Sequence, residues 1–274
     1  MMTLEPLGFN EAQHFVKGLY VKETGPRDPT RLRTPIVLVH GACHGWWAFH
    51  KWLSFFAVAG WKTYALSLRN HPGSYSVPAS AFLRLRLDDY VDDVLEVLAW
   101  LERPAILIGH SMGGIILQKV AEKSRPSVLV LVASVGPGQL GAIRDPLPVD
   151  TPVMFSFQEA REIWFHRIED QTYQTIYPLF VPESPSVMNH YSSGKVRIDR
   201  SKVRCPTLVI GPEHERTVVH GFEKIAAFYG ADRLYVPDAG HDLFLEAAAL
   251  DVAIRINHWL LSVLPHEGLP LAGR

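Results

Sequence analysis

The residue best placed to do chemistry is Ser111, in the run Gly109-His110-Ser111-Met112-Gly113-Gly114. A serine hydroxyl becomes a useful nucleophile only when a neighbouring base takes its proton. The G-x-S-x-G spacing here lies between a short apolar run, 105–108, and a segment of helical period beginning at Met112. A strand, a sharp turn and a helix in that order would push the hydroxyl out at the sheet edge, while the glycines let strand and helix approach closely. The helix dipole would point at it. A second run, His40-Gly41-Ala42-Cys43-His44-Gly45, follows the apolar stretch 36–39 directly. Acyl transfer places negative charge on a former carbonyl oxygen, so backbone N–H donors must already face that position. The amides of Ala42 and Met112 are the candidates for this oxyanion hole.

Elements able to hold these groups are readable around them. Short β-branched runs alternate with longer segments of helical period, the pattern of successive βαβ units. Strands are expected at 15–24 (antiparallel), 36–39, 62–68, 105–108, 128–133, 207–210 and 233–236. Helices are expected at 46–59, 87–101, 112–124, 220–229 and 242–264. Within 87–101 the apolar positions Leu87, Val91, Val94, Leu95, Leu98 and Leu101 recur at three and four residues. Asp88, Asp89, Asp92 and Asp93 begin that helix and read as a solvated face complementing its dipole, not as a metal cluster. From 136 to 202 the chain turns Pro- and aromatic-rich, with short helices expected near 157–170 and 172–179. The expected fold class is α/β: a mostly parallel sheet with helices on both faces, a core domain of 1–135 and 203–274, and a small helical cap inserted at 136–202.

With both motifs in place, the chain resembles the α/β-hydrolase-fold superfamily, in its serine-nucleophile branch, over roughly 15–264 outside the cap. HGACHGWW is similar to the corresponding stretch of plant methyl esterases and hydroxynitrile lyases. The resemblance implies the order Ser, acid, His, with the acid after the penultimate core strand and the histidine after the last. His241, in Pro237-Asp238-Ala239-Gly240-His241-Asp242, stands at the second place, and neutral imidazole can take the serine proton near neutral pH. The first place reads Gly211-Pro212-Glu213-His214-Glu215, where the family more often has Asp. Glu215 aligns best, with Glu213 and Asp145 as alternatives. The stretch Ser67 to Ser74 resembles the family's D-x-R-G-H-G-x-S turn, with Ser67 and Asn70 departing from it, and reads as structural.

What remains concerns substrate and setting. Cap aromatics and neighbours supply a candidate apolar pocket lined by His40, Cys43, His110, Trp47, Phe155, Trp164 and Phe180, with Trp46 and Phe49 as possible additions. This favours hydrolysis of a small-to-medium hydrophobic carboxylic ester through an acyl-enzyme on Ser111. Lactonase, thioesterase and carbon–carbon bond hydrolase use the same residues. A hydroxynitrile-lyase-like enzyme and a ligand-sensing receptor that keeps the fold are the readings from other classes. Neither a cofactor nor a metal is expected. Lys plus Arg number 27 against 28 Asp plus Glu, a net charge of −1, so no global field favours nucleic acid. Only Cys43 and Cys205 are present, in unrelated contexts, which excludes a disulfide framework. No segment has the ~18 consecutive apolar residues of a membrane span. The start, MMTLEPLGFNEAQHF, lacks the basic and apolar regions of a signal peptide, so the expectation is a cytoplasmic monomer or homodimer.

Overall fold

The computed structural model describes residues 8–28, 33–141 and 143–264. The start of the chain, the centre of the 25–34 connector and the Gly/Pro tail after 264 therefore lie outside the described residues. Strands β1 (Phe9–Val16) and β2 (Leu19–Pro26) are followed by β3 (Ile36–Val39), helix α1 (His50–Val58), β4 (Thr63–Leu66), α2 (Ala79–Phe82) and α3 (Leu87–Leu101). Next come β5 (Ile106–His110), α4 (Met112–Lys123) and β6 (Val128–Val132). Three helices, α5 (Phe157–Trp164), α6 (Asp170–Ile176) and α7 (Pro185–Ser192), precede β7 (Thr207–His214), α8 (Phe222–Tyr229), β8 (Asp232–Gly240) and α9 (Ala249–Val263).

The eight strands form one sheet in the order β1-β2-β4-β3-β5-β6-β7-β8, antiparallel at the β1-β2-β4 edge and parallel from β4 onward. The central strands β3, β5 and β6 are buried at every position, as strands covered by helices on both faces must be. One face packs against α1 and α9 through Trp52, Phe56 and Ile256, the other against α3 and α4 through Val91, Val94 and Ile116. Among the described residues no helix is long and apolar enough to cross a membrane.

Several boundaries differ from the sequence expectation, each for a local reason. The first strand is a hairpin, because Lys17 and Gly18 both take positive φ (49° and 86°) and reverse the chain within the segment. The helix expected at 46–59 begins as a 3-10 turn, Trp46–Phe49. The last helix starts at 249, not 242. The Glu246 carboxylate accepts from the amides of Gly240, His166 and Arg167, so the chain there is folded into turns. Asp93 departs from its solvated neighbours: it is buried and receives the Arg69 guanidinium at 2.7 and 2.9 Å and the Arg69 amide at 2.9 Å. That contact fixes the loop after β4. Helix α7 was not anticipated; Pro185 occupies its first turn and Ser184 caps it.

The 136–202 segment is tied to the rest by a buried ion pair. Glu183 is fully buried, its carboxylate 3.1 Å from His71 Nε2, and it accepts from Tyr90 Oη at 2.7 Å and the Ser184 amide at 2.8 Å. Burial disfavours both charges, but each partner's charge prevails, holding the Glu183 pKa below and the His71 pKa above their ordinary values. The pair's contribution is therefore present between the ordinary carboxyl and imidazole values of 4.5 and 6.5. It is lost as pH falls through the lowered Glu183 value or rises through the raised His71 value. Replacing Glu183 by Gln strands His71 in the interior, so a loss of about 3–5 kcal/mol is expected near pH 6. Scanning calorimetry should show Tm falling by on the order of 10 °C, and a Tm within about 2 °C of wild type would remove this pair from the account of how the segment is held.

Candidate active site

Ser111 joins β5 to α4 with φ 53° and ψ −117°, a conformation costly for any residue with a Cβ. The structure holds it by three backbone bonds: its amide donates to Val132 O at 3.0 Å, and its carbonyl accepts from Gly114 N at 3.0 Å and Val135 N at 3.1 Å. The turn can be this tight only because α4 passes very near β3. A Cβ on Gly113 would stand 2.3 Å from Val39 O, a backbone atom that cannot yield. A Cβ on Gly41 would meet His110 Nδ1 at 2.8 Å and Ser111 Cβ at 2.9 Å. The two glycine-bearing motifs are thus in direct contact.

His241 follows β8, and its Nδ1 lies 2.8 Å from Glu215 Oε2. Glu215 in turn accepts from the amides of Thr217 at 2.6 Å and Val218 at 3.0 Å through its other oxygen. Burial opposes charge on both side chains; the ion pair and its hydrogen bonds overcome it, lowering the Glu215 pKa and raising that of His241. Glu215 therefore fixes Nδ1 as the protonated nitrogen of a neutral ring and leaves Nε2 as its basic atom. Of the alternative acids, Glu213 is exposed and accepts from the Asp238 amide, and Asp145 lies on the cavity wall.

A cavity of about 260 Å³ brings Ser111, His241 and Ala42 together. Its wall is mostly apolar, including Val135, Phe155, Ile163 and Trp164, with Arg144, Asp145 and Arg216 as charged members. Of the residues named from the sequence, His110, Phe155 and Trp164 line it. His40, Cys43, Trp47 and Phe180 do not, nor do Trp46 and Phe49. His40 accepts from the Leu68 amide at 3.1 Å with Nε2 and so braces the loop after β4. Cys43 is fully buried, which pushes its thiol pKa well up, and its carbonyl accepts from Val181 N at 2.9 Å. Trp47 and Phe180 pack edge to face, 5.3 Å apart, filling the seam behind the wall. Trp46 packs on Tyr20 and Phe49 on Trp52. Met112 is fully buried as the first residue of α4.

One group escaped the sequence reading. His44 and Asp242 are buried side by side, His44 Nε2 2.9 Å from Asp242 Oδ2 and His44 Nδ1 2.6 Å from the Ala42 carbonyl. The pair grips the peptide that follows Ala42 and so fixes the loop carrying its amide. Both residues stand beside named ones, but 198 positions separate them and nothing local announces the contact. As for metals, two groups among the described residues have donor atoms close enough for one ion: His110, His241 and Asp242, and His166, His214 and Asp238. In the first, Asp242 is already engaged by His44.

The sequence of residues 36–254 matches the model of the alpha/beta hydrolase family. The chain belongs to that family. Salicylic acid-binding protein 2 of Nicotiana tabacum is 38% identical over 90 residues, 32% of this chain and 33% of the relative. Methyl jasmonate esterase 1 of Vitis vinifera is 34% identical over 112 residues, 37% of this chain and 40% of the relative. The matches thus span well under half of either relative. A thermophilic esterase from Thermogutta terrifontis shares the fold, with TM-score 0.70 and 18% identity over 93% of this chain and 99% of that one.

The backbone of Ser111 supplies a test free of any substrate assumption. Glycine relieves the strain at φ 53°, worth about 1–3 kcal/mol, against an entropic cost of about 0.5–1 kcal/mol. Ser111→Gly is expected to melt a few degrees above Ser111→Ala. Equal or lower Tm in thermal unfolding would mean that the turn is not strained.

Proposed function

We propose that the protein is a serine carboxylic ester hydrolase, acting on a small-to-medium apolar ester such as the methyl or short-chain ester of a hydrophobic acid. The observation carrying this reading is the 2.8 Å His241–Glu215 contact at a cavity that also contains Ser111. His241 Nε2 takes the Ser111 proton as Oγ attacks the ester carbonyl. The resulting oxyanion is received by the amides of Ala42 and Met112, and collapse expels the alcohol, which regains the proton from His241. Water activated by the same nitrogen then releases the acid from the acyl-enzyme. Glu215 stabilises the imidazolium formed at each attack. Residues 136–202 act as a cap, contributing Phe155 and Trp164 to the acyl site. The name of the Vitis relative, an esterase of a methyl ester, supports the small alcohol group.

The test is turnover of a chain-length series of p-nitrophenyl and methyl esters by wild type, Ser111→Ala, His241→Ala and Glu215→Gln. Losses in kcat of about a thousandfold or more are expected for the first two variants, and a large loss for the third. Activity persisting in Ser111→Ala, or a folded wild type inert on every ester, would turn the reading towards lyase or receptor.

Protonated His241 cannot accept the serine proton, so kcat/KM should rise with pH through the His241 pKa, with its acid limb above the ordinary imidazole value of 6.5. In Glu215→Gln the residual activity should show that limb at lower pH. A limb that stays in place would separate Glu215 from His241 functionally.

A further inference from the structure

Beside the proposed catalytic residues lies a cluster that the ester chemistry does not use. His166 comes from the 136–202 segment, His214 is the last residue of β7, and Asp238 stands in β8. One donor atom from each lies within 4.8 Å of the other two. His166 Nε2 is 3.1 Å from Asp238 Oδ1, and the two imidazoles stack with centroids 3.5 Å apart at an interplanar angle of 18°. Asp238 is held in position: its amide donates to Glu213 Oε2 at 2.9 Å, its other carboxylate oxygen pairs with Arg167 at 2.7 Å, and its φ is 55°. The three side chains are 22%, 32% and 52% exposed, so an ion from solvent can reach them.

We propose that His166, His214 and Asp238 bind a divalent transition-metal ion of the zinc class, with water completing the coordination. Two imidazoles and one carboxylate are a borderline donor set, suited to Zn²⁺ and poorly suited to Mg²⁺ or Ca²⁺, which take oxygen ligands. Zinc–ligand bonds of about 2.0–2.2 Å put neighbouring ligands of a tetrahedral ion about 3.3 Å apart. The 3.1 Å nitrogen–oxygen separation is already near that spacing, and the His214 donor lies within 4.8 Å of both. The stacked rings must fan apart for both lone pairs to reach one ion, a movement open to these partly exposed side chains, and the ion then replaces the proton shared between His166 and Asp238. Glu213 Oε2, 4.0 Å from His214 Nε2, is within reach as a further oxygen donor. The other three-donor group, His110, His241 and Asp242, is closed to solvent and already committed to the His44 contact.

The three ligands come from three separate stretches of chain. His214 immediately precedes Glu215, and Asp238 lies three residues before His241. A bound ion would therefore staple the 136–202 segment to the two strand ends that carry the His241–Glu215 pair. It is a stabilising and modulating site, and the ester chemistry proceeds without it.

The test uses full-length protein stripped with chelator and titrated calorimetrically with ZnCl₂ near pH 7.5, with Tm followed in parallel. Wild type should bind one equivalent, with a rise in Tm that neither MgCl₂ nor CaCl₂ produces. His166→Ala and Asp238→Asn should each weaken Zn²⁺ binding by at least about tenfold while keeping the metal-free esterase rate and Tm near wild type. Ser111→Ala should bind Zn²⁺ as wild type does, so this result stands or falls apart from the esterase reading. No stoichiometric binding by wild type would overturn the site. So would binding undiminished in both ligand variants but abolished in His241→Ala, which would place the ion at the catalytic histidine.

Discussion

The close passage of α4 over the end of β3 is the constraint on which the rest depends. Gly113 lies so near Val39 O that no side chain fits between them. Because the helix starts there, the residue joining it to β5 must turn through a left-handed conformation, and that residue is Ser111. Because β3 ends there, the loop leaving it passes against Ser111, bringing Ala42 to the same cavity. Removing the contact would separate Ser111 and the Ala42 loop together, since both positions follow from one steric fact.

Around that crossing the structure repeats one device: a carboxylate facing a buried imidazole. Glu215 faces His241, Asp242 faces His44, and Glu183 faces His71. Their uses differ. Glu215 orients the ring of His241 on the cavity wall, Asp242 steadies the Ala42 loop through His44, and Glu183 fastens the 136–202 segment to the loop after β4 and to α3. Such pairs are poor sources of net stability, because desolvation offsets most of the attraction. What they provide is direction, since each carboxylate accepts from a ring in one orientation. Another buried carboxylate, Glu246, has no imidazole and is satisfied by three backbone amides. It shapes the turn after His241 in the same directional way.

This explains what could be read in the sequence and what could not. The interior strands and α3 were legible because burial on both faces, or on one helical stripe, leaves a period in the residues themselves; Leu87–Leu101 was bounded to the residue. Ser111, His241 and Glu215 were legible because each follows a strand in a known chain order. The hairpin at Lys17-Gly18 was not, since β1 is an edge strand whose outward residues are mostly polar and its reversal occupies two positions. The start of α9 was misplaced because three amides drawn to Glu246 outweigh the helical preference of the intervening residues. Aromatic count could not tell Trp47 and Phe180, which pack on each other away from the cavity, from Val135 and Ile163, which line it. Hydrophobic content does not record which side of a wall a ring takes.

The distribution of these contacts also bears on where substrate choice resides. The crossing of α4 and β3 and the two pairs beside it use backbone and buried groups that cannot change without loss of the turn. The 136–202 segment is fastened differently, at a few discrete points: Glu183 on His71 and Tyr90, Val181 on Cys43, and the amides of His166 and Arg167 on Glu246. Phe155 and Trp164 precede all of those points in the chain and stand on the cavity wall. Under the proposed ester-hydrolase reading, substrate choice therefore falls to the wall residues of that segment, and the reaction itself to the strand ends beneath it.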